Sequence, residues 1–222
     1  MEKTLQSFNR RNFIKTATTL TAGLTGIASL SRGEPMIEKE DEASIHIIGP
    51  RKGFSPHVGS LASMMDWMRM VVVGSVKNLT VEQLDYLHDA KSNSIGAMLL
   101  HLAATETYYQ LHTFGGKKWG SWDDNIKKRW DIPMSLGDAG RKTIKGNNLD
   151  YYLNILKETR NKTIEEFKKR DDKWLLAVDK QWSWGPTNNY CKWFHVCEHE
   201  SNHNGQIKWI RSRLPGEKAG ND

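Results

Sequence analysis

Cysteine is almost absent from the chain: two of 222 residues, Cys191 and Cys197. They stand six apart in a stretch that reads as helix, a rise of about 9 Å, beyond the roughly 7 Å Cα limit for a disulfide. A bridge between them within that helix is excluded, and core packing is the expectation for both. Long apolar runs are missing too. The mildly apolar run Thr16–Leu30 falls short of the roughly twenty residues of a membrane helix, so no stable membrane span is expected. No cysteine follows it to carry a lipid anchor. There is no dense basic stripe with interleaved aromatics. The formal charge is +6, but residues 1–34 hold five Lys/Arg against two Glu, which leaves only +3 for the rest. The basic run from Lys117 to Arg129 is interrupted by Asp123 and Asp124, so nucleic acid is not an expected partner. No internal repeat, low-complexity block or convincing strand pattern is present.

What remains is helical periodicity. Residues 58–78 carry Leu61, Met64, Met65, Met68, Val72 and Val76 at a 3.6-residue period, weakened at Gly74-Ser75. Residues 93–114 follow, with Ser94 as cap and Ile95, Met98, Leu99, Leu102, Thr105 and Tyr109 on one face. A third helix spans residues 148–171. A fourth is capped by Thr187 or Asn188 and runs to about Arg213, before Leu214-Pro215-Gly216 ends it. Between the second and third, residues 115–146 read as a long irregular loop, punctuated by Gly115-Gly116, Pro133, Gly137 and Gly140. Its Trp119, Trp122 and Trp130 either cap a pocket or pin the loop to the bundle. Residues 35–57 read as a linker and residues 215–222 as a disordered tail. The expected fold is all-α, an up-down four-helix bundle over residues 58–214 with one long crossing loop.

The N-terminus carries Asn9-Arg10-Arg11-Asn12-Phe13-Ile14-Lys15. With the apolar run after it, this resembles a twin-arginine signal over residues 1–34. That resemblance implies export of the folded protein by the twin-arginine machinery to the bacterial periplasm.

The chemistry concentrates on the fourth helix. His195, His199 and His203 recur every four residues and form one stripe. Two imidazoles one turn apart can reach one divalent ion, and spacing alone permits His195 with His199 or His199 with His203. Gln206 continues the stripe and either orients a bound water or packs. Glu198 and Glu200 point about 100° to either side of His199, so neither is expected to ligate, though either can hold a neighbour in place. On the second helix His101 stands mid-way, Glu106 reads as structural, and His112 lies about 16 Å further along, too far to share an ion.

Asn93-Ser94-Ile95-Gly96-Ala97-Met98-Leu99-Leu100-His101-Leu102-Ala103-Ala104-Thr105-Glu106 resembles the second-helix motif of the DinB-like superfamily. His199-Glu200-Ser201-Asn202-His203-Asn204-Gly205-Gln206-Ile207 resembles its last-helix motif. The resemblance implies a four-helix bundle holding one divalent metal ion through three histidines, here His101, His199 and His203. His195 then becomes a pocket wall or a group behind the ligands. Three neutral imidazoles leave an open coordination position and suit zinc or nickel first, then iron or copper. The resemblance further implies a metal-dependent transferase using a low-molecular-weight thiol on a small-molecule substrate, with hydrolysis by activated water as a variant. The rival expectation is a non-catalytic metal-binding or carrier module. Oligomeric state is left open, a homodimer included, and DNA repair finds no support in the residues.

Overall fold

In the computed structural model, residues 45–216 are described. The signal expected over residues 1–34, residues 35–44 of the linker and the last six residues of the tail lie outside them. The described chain runs through α1 (Pro56–Ser75), α2 (Val81–Asp85), α3 (Ile95–Thr113), α4 (Asp124–Ser135), α5 (Gly137–Thr143), α6 (Leu149–Lys168) and α7 (Asp172–Leu176). The strands β1 (Val178–Asp179) and β2 (Thr187–Asn188) then lead into α8 (Asn189–Arg211). The fold is all-α, as expected, apart from the two short strands. Helix α1 packs mainly against α8 and α6, and α3 against α6 and α8. In cross-section the four long helices therefore follow the order α1, α6, α3, α8, and the chain crosses the diagonal twice.

Local chemistry explains the helix starts. Ser94 accepts from the Ala97 N–H, Asn148 from that of Tyr151, and Asn188 from that of Cys191. Thr80 and Gln83 form a reciprocal capping box. Helix α1 has no such cap of its own. Asp172, far along the chain, accepts from Ser55 Oγ (2.6 Å), His57 N (3.0 Å) and Val58 N (3.1 Å), which supplies acceptors for the donors that open the helix. At its other end Ser75 O accepts from Arg211 Nη1 (2.7 Å). Gly96 lets α3 and α6 meet closely: a Cβ there would stand 2.7 Å from the Tyr152 hydroxyl.

Three expectations are corrected. Residues 115–146 are not one irregular loop, because α4 and α5 occupy 124–143. Asp123 caps α4 through the Ile126 N–H, and buried Trp122 and Trp130 fasten the segment to the core. Pro133 sits in the last turn, where the helix ends anyway at Leu136 and Gly137, both with positive φ. A two-residue antiparallel ladder also exists, pairing Val178 with Asn188 and Asp179 with Thr187. Two residues per strand leave no periodicity to detect. Of the cysteines, both free, Cys197 is buried but Cys191 is exposed, against the packing expected of it. Burial pushes the Cys197 thiol up to about 11.

The centre of the bundle is ionic. Glu106 of α3 accepts from Arg69 Nη2 of α1 (2.8 Å), from Arg160 Nε of α6 (2.9 Å) and from Thr163 Oγ1 (2.6 Å). Glu200 of α8 accepts from Nη2 of both arginines at 2.6 Å. Arg69 and Arg160 also donate to the carbonyls of Leu156 (2.7 Å) and Met65 (2.6 Å). Burial alone would raise the Glu106 carboxyl, but the two guanidiniums outweigh it and hold it below its usual value. Removing one partner strands the others. Arg160→Met should cost about 3–5 kcal/mol in urea unfolding. Arg51→Met, which breaks the half-exposed pair with Asp66, should cost under about 1 kcal/mol. Equal losses would show that the buried network does not carry the packing.

Candidate metal centre

The ionic layer sets the height of two ligand-bearing helices. Glu200 follows His199 directly on α8, and Glu106 lies five residues beyond His101 on α3. With both carboxylates pinned, the three imidazoles come together. His101, His199 and His203 each offer a ring nitrogen, and these atoms lie within 4.8 Å of one another. His101 Nε2 and His199 Nε2 are 2.9 Å apart. Ring centroids are separated by 5.0 Å (His101–His199), 4.9 Å (His101–His203) and 4.5 Å (His199–His203). Four nitrogens bound tetrahedrally at about 2.1 Å stand about 3.4 Å from each other, so this cluster fits one ion with small adjustments.

The orientation of His101 comes from the segment that the sequence reading left irregular. The last carbonyls of a helix have no N–H four residues on. The Pro133 carbonyl, in the final turn of α4, lies 2.9 Å from His101 Nδ1. A carbonyl only accepts, so Nδ1 carries the proton and Nε2 turns its lone pair to the cluster. His203 Nδ1 is buried with no hydrogen-bond partner among the described residues, a nitrogen that a cation would satisfy. All three rings are held neutral. Burial pushes His199 down to about 3, assisted by the neighbouring imidazoles, and His203 down to about 4, against a smaller opposing pull from Gln206. It lowers His101 as well. Buried neutral imidazoles with converging lone pairs are what divalent metals bind.

His195 stays outside this set. Its ring is 5.3 Å from that of His199, and its Nδ1 donates to Glu198 Oε1 (2.8 Å). Gln206 is exposed, donates to Asn202 Oδ1 (3.2 Å) and stands beside His203. His112 is engaged elsewhere, with the Lys117 carbonyl and Lys192 Nζ, each at 2.9 Å.

Next to His199 opens a cavity of about 230 Å³, walled by Tyr109, Trp119, Trp182, Trp184, Met134 and His195. The tryptophans of 115–146 thus divide their work: Trp122 and Trp130 pin the segment, while Trp119 faces the cavity. Sequence reasoning missed Arg69, Arg160, the Pro133 carbonyl and the 182–184 wall. The arginines left a signal, because each stands on the apolar face of its helix: Arg69 between Met65 and Val72, Arg160 between Leu156 and Thr163.

Fold and histidine cluster together define a DinB-like helical bundle with a candidate metal centre. Residues 60–216 match the family model described as Mycothiol-S-transferase, and the chain belongs to that DinB-like family. Solved structures repeat the fold. A protein from Streptococcus pneumoniae is 13% identical with a TM-score of 0.55, and the match covers 71% of this chain and 91% of that one. One from Enterococcus faecalis is 14% identical with a TM-score of 0.54, covering 71% and 96%. An uncharacterized protein from Clostridium difficile 630 is 13% identical with a TM-score of 0.53, covering 71% and 96%. At such identities the likeness shows the fold alone. No curated protein matches the chain.

The depressed imidazoles set a pH signature for metal-free protein. In the unfolded chain a histidine titrates near 6.5, so below that pH the unfolded state binds more protons and folding weakens. The urea midpoint should hold above about pH 6.5 and fall as pH drops toward 4. The fall should be shallower in His199→Gln; equal slopes would contradict the assignment of neutral, buried rings.

Proposed function

We propose that the protein is a divalent-metal-dependent S-transferase that joins a low-molecular-weight thiol to a small electrophile, with His101, His199 and His203 as metal ligands. The observation that carries this is the opening of a buried, neutral three-histidine cluster onto an aromatic cavity beside His199. A metal carrier needs the cluster but not the cavity. Membership of the mycothiol-S-transferase family supports the thiol. Held by His101, His199 and His203, a divalent ion would keep its charge and would lower the pKa of a thiol or water bound to it. Zinc or nickel suits the donor set first, iron or copper next.

The chain's own groups do the rest. Pro133 fixes the tautomer of His101. Glu198 takes the Nδ1 proton side of His195, so its Nε2 is the group available to accept the thiol proton. The sulfur lone pair forms the new bond to carbon; a haloarene then loses halide with its bonding electrons, whereas an epoxide breaks one C–O bond and its retained oxygen takes up a proton. Burial raises the Tyr109 hydroxyl far above its ordinary range, so it serves as a neutral donor in the cavity wall. Arg10-Arg11 supports export of the folded protein to the periplasm through the twin-arginine machinery.

Thiol conjugation to haloarenes or epoxides tests the activity. His203→Ala should release the ion and lower turnover by more than the roughly 10–100-fold typical of losing an outer partner. Retained metal would instead favour the His195–His199 pair, and undiminished turnover would refute the metal role. Replacing Arg10 and Arg11 by Lys should abolish export, read by cell fractionation; unchanged export would refute the signal.

A further inference from the structure

The hairpin made by β1, β2 and residues 180–186 carries three walls of the cavity beside His199, namely Trp182, Ser183 and Trp184. Little of it is sunk in the protein. Among the described residues 176–186, only Trp182 is buried. The turn is closed by its own bonds, Gln181 N to Asp179 Oδ1 and Gly185 N to Trp182 O, each 2.9 Å. A two-stranded hairpin is marginal by itself, so its place over the cavity comes from what holds it there.

Lys192 of α8 is the holder. It is 1% exposed, an uncommon burial for an ammonium, which needs partners to offset the lost water. Its Nζ donates to Asp179 Oδ2 on β1 (2.8 Å) and to His112 Nε2 on α3 (2.9 Å), and stands 4.4 Å from the centre of the Trp182 ring. His112 Nδ1 donates to the Lys117 carbonyl (2.9 Å), which leaves Nε2 as the acceptor. Two of the three partners belong to the hairpin, and the third belongs to the helix that carries His101. One charge therefore ties the hairpin to both ligand-bearing helices. Further along the hairpin the Trp184 ring meets that of His195 edge to face at 5.0 Å, so the clasp reaches the imidazole assigned the thiol proton.

We infer that Lys192 is a positioning residue of the transferase site: its ammonium clasps the 178–188 hairpin across the cavity, and the hold on an aromatic electrophile depends on that clasp. The inference rests on the S-transferase proposal for the role of the ligand. Metal binding is independent of it, because the ionic layer and not the hairpin places the three histidines.

The metal-loaded full chain is compared with Lys192→Met, which keeps an unbranched stem and removes the charge. With N-acetylcysteine as the thiol, kcat and KM are measured for styrene oxide and for propylene oxide, an epoxide with no ring to be walled. Lys192→Met should keep its ion and lose kcat/KM for styrene oxide by roughly 10-fold, about the worth of one or two aromatic contacts. The loss should lie mainly in KM and be much smaller for propylene oxide. Equal losses for the two epoxides, as general unfolding would give, or no loss at all would overturn the inference. If Lys192→Met fails to fold, Asp179→Asn breaks the same clasp from the hairpin side and is read in the same way. If the unaltered protein conjugates neither epoxide, the S-transferase proposal fails separately, and calorimetry with acetophenone, unreactive and aromatic, judges the clasp. The unaltered chain should then bind it roughly 10-fold more tightly than either variant; equal binding by all, or none by any, would overturn the inference.

Discussion

Two arginines and two glutamates, one from each long helix, meet at the middle of the bundle almost out of reach of water. Each guanidinium touches both carboxylates, and each also donates to a carbonyl on a neighbouring helix. Apolar faces can slide by a turn at modest cost. Paired charges in a low-dielectric interior cannot, because any slip leaves a charge uncompensated. This layer therefore fixes the relative height of α1, α3, α6 and α8 more tightly than the surrounding leucines and methionines do.

That constraint is what brings the histidines together. His199 is the residue before Glu200, and His101 lies within a turn and a half of Glu106 on the same helix. Anchoring the carboxylates anchors the imidazoles. The two layers solve burial differently: the lower one pairs full charges, whereas the upper one keeps three bases neutral with their lone pairs converging. Only the second arrangement has capacity left for a cation. The crossing segment completes it, since the last turn of α4 supplies the carbonyl that orients His101 and Trp119 closes one side of the cavity.

The four long helices were legible in their periodicity and caps, with ends misplaced by a few residues. The His199-x-x-x-His203 spacing and the mid-helix His101 pointed to residues that the structure brings within one cluster. Less legible was everything that depends on the third dimension. Asp123 looked like part of a charged loop because its capping role needs α4 to exist, and Pro133 read as a breaker although it lies inside α4, three residues before Leu136 ends the helix. Arg69 and Arg160 look like surface charges until their apolar flanks are noticed, and even then their partners lie 37 to 131 residues away. The Pro133 carbonyl has no sequence signature at all, being a backbone atom freed by the end of a helix.

The central claim is that imidazoles from α3 and α8 hold one ion between them. Anomalous diffraction at a metal edge, on crystals of protein purified without added metal, tests it most directly. A single peak about 2.1 Å from ring nitrogens of His101, His199 and His203 is the predicted result. A peak held by His195 and His199 with His203 turned away, or no peak in protein that conjugates thiols at full rate, would contradict it.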